Sequence, residues 1–129
     1  MSVSQKIRTV ATENLASEYP AMQNGEVFII TDSRFETIAE SYDDVLRVFE
    51  NDPNVGFVTT DLEHNSNGMC YYKNLTMQDL SDVPFFVKKV EGLQINLDPN
   101  AMMATMARSY LTAGLKFEHV ADPYFRYNA

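Results

Sequence analysis

The chain has 129 residues, a single cysteine and a formal net charge of −8 at pH 7, with 18 acidic residues against 10 basic ones. Such a balance argues against direct binding to nucleic-acid phosphates, which calls for clustered Lys and Arg. Cys70 can form no intrachain disulfide and fits a reducing compartment, and no apolar run approaches the roughly 18 residues that a membrane span needs.

No early apolar run with a basic flank marks a signal peptide, so the expected location is cytoplasmic. A chain of this size can bury about two-thirds of the surface that its unfolded form exposes, enough for one core without disulfide or metal. A single domain over residues 1–129 is expected.

In chain order, Val3, Ile7, Val10, Ala11 and Leu15 form an apolar stripe that predicts a helix over residues 2–18, capped by Ser2 or Ser4. Tyr19-Pro20 closes it, and Asn24-Gly25 turns the chain into the apolar run Glu26–Thr31, which reads as a buried strand. Ser33 and Glu36 have capping-box spacing. Phe35, Ile38, Ala39, Tyr42, Val45, Leu46 and Phe49 then predict one long helix ended by Pro53. A second parse makes Phe35–Ala39 a strand and lets Ser41 cap a shorter helix, with Asp44 as its box partner. The unbroken stripe favours the long helix. Val55–Thr60 reads as the next strand, and the whole of residues 26–61 as a β-α-β unit with neighbouring parallel strands.

Beyond it, Asn67-Gly68 predicts a tight hairpin turn into a strand at Met69–Lys73. Pro84–Val90 reads as a strand, with Lys88-Lys89 as an edge device, Gly92 as a bulge or bend, and Leu93–Leu97 as resumed alternation. Asp98-Pro99 starts a helix that stops at Gly114. Leu115–Val120 is a last strand, followed by an aromatic tail. The expected fold is α/β or α+β: a mixed sheet of about five strands with about three helices.

Residues 26–63 contain ten acids opposed by Arg34 and Arg47 alone, which accounts for all eight net negative charges. Two classes of function follow. In the first, the protein is not an enzyme. It binds a basic surface on another macromolecule through Glu36, Glu40, Asp43, Asp44 and Glu50, as an inhibitor, adaptor or nucleic-acid mimic. An accessory or viral protein, in the host cytoplasm if viral, would fit. Met102, Met103 and Met106 on a helix almost without charge, together with Tyr124, Phe125 and Tyr127, would supply an apolar surface for a homo-oligomer, with core packing as the competing use.

In the second class, Asp32 and Asp61 each end a predicted strand. As parallel neighbours they would share the carboxyl edge where open α/β sheets bind ligands. Two carboxylates there could hold Mg²⁺ or Mn²⁺ for phosphoryl or phosphodiester chemistry, with Glu63 or His64 as a third ligand or general base. A third reading puts a small ligand at the same edge, on Thr31, Ser33 and Thr60. His119, on the same strand face as Leu115 and Phe117, is expected to be a hydrogen-bonded core residue.

Overall fold

The computed structural model describes residues 7–65, 84–98 and 101–128, with His64, Asn65, Met102 and Asn128 described by their backbone alone. Among the described residues six strands form one mixed sheet, and three helices lie against it: β1 (Arg8–Ala11), α1 (Leu15–Glu18), β2 (Val27–Thr31), β3 (Phe35–Thr37), α2 (Asp43–Asn51), β4 (Val55–Asn65), β5 (Phe85–Lys88), α3 (Met102–Thr112) and β6 (Lys116–Asn128). The order across the sheet is β1-β2-β5-β4-β6-β3. The pairs β1/β2 and β4/β6 are parallel, and β5 runs antiparallel to both its neighbours. Among the described residues no helix is long and apolar enough to cross a membrane.

The central strands are apolar on both faces, as a sheet covered on two sides requires. Phe28, Ile29, Ile30, Phe57, Val58, Phe85, Phe86 and Val87 are all buried. Tyr42 of the turn before α2 packs edge-on against Phe86 at 5.5 Å. Val45 and Phe49, a turn apart on α2, bury the inner stripe of that helix. Tyr110 of α3 meets Phe57 edge-on. The two outermost strands are short, β1 with 4 residues and β3 with 3, which limits unpaired edge.

The structure departs from the sequence reading at two helices. Of the helix expected over residues 2–18, only Leu15–Glu18 is α-helical, flanked by 3₁₀ turns at Thr12–Asn14 and Tyr19–Ala21. Arg8–Ala11 instead pairs with β2, where Val10 lies opposite Ile30. The long helix expected from Phe35 is likewise divided: Phe35–Thr37 pairs with β6, and the helix begins at Asp43, as the second parse has it. Ser41 Oγ accepts the Asp43 N–H at 3.2 Å, whereas Asp44 engages Arg47. The capping box of Ser33 and Glu36 is absent, since Glu36 is a strand residue. Tertiary pairing outweighs a local helical stripe when the same side chains can be buried either way.

The β-α-β unit is split. β2 and β4 run parallel, but β5 lies between them. Lys88 and Lys89 therefore do not guard an edge. Lys88 Nζ donates to the Pro53 carbonyl at 2.9 Å, and buried Lys89 Nζ donates to the Tyr19 carbonyl at 2.7 Å over the Tyr19 ring. Leu93–Leu97 is extended without strand pairing. Gly92, with φ +79°, makes the turn before it, a conformation open to glycine. The α3 helix starts later than expected, at Met102, and ends before Gly114 with φ +88°. The hairpin expected at Asn67-Gly68 and the strand at Met69–Lys73 lie outside the described residues.

β6 continues past Val120 through the aromatic tail, despite Pro123. The strand accommodates it with a bulge: Thr60 pairs with Val120, but Asp61 pairs with Pro123, so Ala121 and Asp122 have no partner in β4.

Candidate functional site

Cations that the sequence places far away, Arg8, Lys116 and Arg126, engage four of the ten acids of the window. Arg8 reaches Glu26 at 3.1 Å, and Lys116 holds Asp52. His119 Nε2 lies 2.7 Å from Asp61, and Arg126 bridges Glu36 and Glu63 in one row across β3, β6 and β4. Asp32 pairs with Arg34, and Asp44 with Arg47 at 3.0 Å. Of the ten acids, only Glu40, Asp43 and Glu50 form no ion pair among the described residues.

Two of these three fall on one surface with an acid from outside the window. Ile38 N–H donates to the Tyr124 carbonyl at 2.9 Å, which brings the segment leading to Glu40 alongside β6. The bulge carries Asp122 into the same region, and α2 starts there with Asp43 and Asp44. The Tyr124 phenol reports the convergence. Burial first, then the charges of Asp44, Asp122 and Asp43, raise its pKa above the ordinary value. Glu40, Asp43, Asp44 and Asp122 are all exposed, so their charges face solvent. Of the other expected contact residues, Glu36 is engaged with Arg126 and Glu50 lies at the far end of α2. Asp122 was not among the acids singled out from the sequence. Pro123 inside a strand pattern is the signal for the bulge that places it.

The paired-aspartate site does not assemble. Ile29 and Val58 both pair with Phe86, so Asp32 and Asp61, each three residues further on, are level but separated by the width of β5. Two strand spacings amount to about 9–10 Å, too far for two carboxylates to share one small cation. Each also has its own partner. Asp32 accepts the Arg34 backbone N–H at 2.9 Å and its guanidinium at 2.6 Å. Burial pushes the Asp32 pKa up, but the hydrogen bonds and charge of Arg34 outweigh it and hold the group below 3.8. Glu63 is taken by Arg126, and the backbone of His64 pairs with Tyr127. Among the described residues no group of three or more His, Cys, Asp or Glu side chains converges on a metal position. Thr31, Ser33 and Thr60 are divided in the same way, and the Thr60 hydroxyl is buried in the interior without a hydrogen-bond partner.

What does assemble is a hydroxyl–imidazole–carboxylate chain. Thr59 Oγ1 lies 2.8 Å from His119 Nδ1, and His119 Nε2 lies 2.7 Å from Asp61 Oδ1. An ionised carboxylate only accepts, so Nε2 carries the proton. With the imidazole neutral, Nδ1 accepts from the Thr59 hydroxyl. Thr59 is 1% exposed, so its oxygen is not presented to a substrate. The chain clamps β4 to β6: His119 is hydrogen-bonded as expected, but it is exposed and not a core residue.

The residues expected to mediate self-association are mostly interior. Met103, Met106, Tyr124 and Phe125 are between 0% and 4% exposed within one copy of the chain, so they offer no apolar surface. Tyr127 is half-buried against Phe35, with ring centroids 5.6 Å apart. The Met102 side chain lies outside the described atoms.

No protein-family model matches this chain, and no curated protein matches it.

Proposed function

We propose that the protein works by binding a basic surface on another macromolecule, and that Glu40, Asp43, Asp44 and Asp122 form the recognition surface. The observation that carries this reading is the approach of the exposed Asp43 and Asp44 at the start of α2 and Asp122 in the β6 bulge to Tyr124, with exposed Glu40 on the segment that leads into α2 and is tied to Tyr124 through Ile38. Arg8, Arg34, Lys116, His119 and Arg126 engage acids elsewhere in the window, whereas among the described residues this surface has Arg47 alone. Like charges held together repel, and a partner bearing Lys and Arg relieves that repulsion. Such complementarity raises association rate and selectivity more than raw affinity. A concentrated carboxylate surface can also stand in for phosphates and occupy a nucleic-acid-binding protein.

The test compares two charge-matched variants. One carries Glu40→Lys, Asp43→Lys and Asp122→Lys. The other carries Glu13→Lys, Glu91→Lys and Glu118→Lys at exposed acids elsewhere. The probe is a panel of arginine- and lysine-rich peptides, with association rates measured at low and high salt. The first variant is expected to lose binding and the second to retain most of it, with wild-type binding falling steeply as salt screens the charges. Equal loss in both variants would reduce the acidic surface to a general solubility feature.

A further inference from the structure

Arg108 stands apart from every other cation described in this acidic chain. Arg8, Arg34, Arg47, Lys116 and Arg126 all hold carboxylates, and Lys88 and Lys89 reach backbone carbonyls. Arg108 alone, among the described residues, has neither. It is the single formal charge on α3 and is exposed on that helix. A guanidinium without a partner among the described residues is an unusual arrangement in a protein with 18 acids, because a nearby carboxylate would ordinarily take it up.

Its surroundings form a polar groove. Thr105, Arg108, Ser109 and Thr112 follow at helical spacing, so they share one stripe of α3. The extended segment Leu93–Asp98 runs beside this stripe and is held to it by hydroxyls. Ser109 Oγ accepts the Asn96 N–H at 3.1 Å, and Thr105 Oγ1 accepts the Asp98 N–H at 3.1 Å. Both hydroxyls also donate to carbonyls a turn earlier on α3, Ser109 to Thr105 and Thr105 to Ala101. They are therefore committed to holding the wall in place. Between segment and helix lies a groove of 350 Å³, where Gln94, Asn96, Arg108 and Thr112 contribute side-chain donors and acceptors. That volume falls within the range of small-molecule sites, about 300–1,000 Å³.

We infer that this groove binds a small oxyanion, a phosphate monoester or a carboxylate, through the Arg108 guanidinium with Gln94, Asn96 and Thr112 around it. Arginine presents parallel N–H donors that match two oxygens of either group. The neutral amides and the hydroxyl suit a ligand with further hydrogen-bonding groups. The wall is preorganised by its hydroxyl tethers, so binding orders little new backbone. This site is independent of the acidic surface near Tyr124.

The experiment follows backbone amide and Arg Nε–H resonances of the whole chain by NMR, titrating phenyl phosphate, benzoate and, as the neutral counterpart, benzamide. Saturable shifts are expected at Arg108, Gln94, Asn96 and Ser109 with at least one anion and not with benzamide. Arg108→Gln should weaken that binding about tenfold to a hundredfold, the scale of a charge-assisted hydrogen bond. Arg108→Lys separates the two ligand types. A phosphate tolerates a point charge, so its binding falls little, whereas a carboxylate gripped by the fork loses most of its affinity. Arg108 is exposed, and the amide dispersion of each variant verifies its fold. Absence of saturable shifts with both anions, equal response to benzamide, or unchanged anion binding in a folded Arg108→Gln protein would overturn the assignment.

Discussion

The phenol oxygens of Tyr19 and Tyr110 lie 2.8 Å apart, joining the segment after α1 to the last turn of α3. The direction of the chain of bonds is set by its ends. Val90 N–H donates to the Tyr19 oxygen at 3.3 Å, and the Tyr110 hydroxyl donates to the Lys88 carbonyl at 2.5 Å. Tyr19 therefore donates to Tyr110. Burial pushes the Tyr110 pKa far above its ordinary value, so it remains a neutral donor. Removing the Tyr110 hydroxyl strands a buried donor and a buried carbonyl. Tyr110→Phe is expected to cost about 1–3 kcal/mol in urea unfolding. The double variant with Tyr19→Phe should cost less than the sum of the two single changes, because the shared bond is then lost only once.

Gly56 is a second point of close approach. A Cβ there would lie 2.4 Å from Tyr110 Cδ2 and 3.2 Å from the Leu115 side chain. The Tyr110 ring is fully buried and tied at its hydroxyl, so it cannot swing aside. Gly56→Ala is expected to destabilise the fold by about 1–3 kcal/mol, the usual cost of overpacking. Thermal or urea unfolding gives the value. A neutral result would mean that the ring has more freedom than its contacts indicate.

The pairing of Asp52 with Lys116 gives the fold a pH dependence at both ends of the scale. The Lys116 hydrogen bond, with the Asn54 N–H at 2.9 Å, lowers the Asp52 pKa below 3.8. Its contribution is present above that value and is lost as pH falls through the lower, folded pKa. The same hydrogen bond raises the Lys116 pKa above 10.5, so its contribution is present below 10.5 and lost as pH rises through the higher, folded pKa. Asp52→Asn should flatten the stability profile below about pH 4, and Lys116→Met should flatten the alkaline side. Urea midpoints across the pH range test both.

The Thr59–His119–Asp61 chain predicts a defined tautomer. In the neutral imidazole the proton should be on Nε2, with Nδ1 as acceptor, as read from the two ring ¹⁵N shifts. Asp61→Asn replaces an obligate acceptor with an amide that can also donate, so the tautomer should become mixed. Thr59→Val should cost about 0.5–1.5 kcal/mol for the lost hydrogen bond. A proton found on Nδ1 in the wild type would contradict the assignment.

Local rules carried part of the fold. The runs Glu26–Thr31 and Val55–Thr60 are apolar and β-branched enough to be strands wherever they pair, and both are. Pro53 and Gly114 stop their helices through backbone geometry that needs no distant partner. His119 was legible as a hydrogen-bonded residue from its place in the last strand. Each of these depends on a residue and its immediate neighbours.

The rest depended on residues far apart in the chain. Phe35–Thr37 and Arg8–Ala11 became strands because β6 and β2 offered them edges, not because of anything within the segments. β5, contributed by residues 85–88, entered between β2 and β4 and parted Asp32 from Asp61. Of the acids counted along the sequence, Arg8, Lys116 and Arg126 hold four and the His119 ring a fifth, while an acidic surface includes Asp122 and Arg108 stands beside a groove without an ion pair among the described residues. Sequence alone determined which segments could bury apolar faces and where the backbone must turn. Tertiary structure decided which strands became neighbours and which charges met, because hydrogen-bond pairing between strands and Coulomb attraction act across space between residues that the chain order does not bring together.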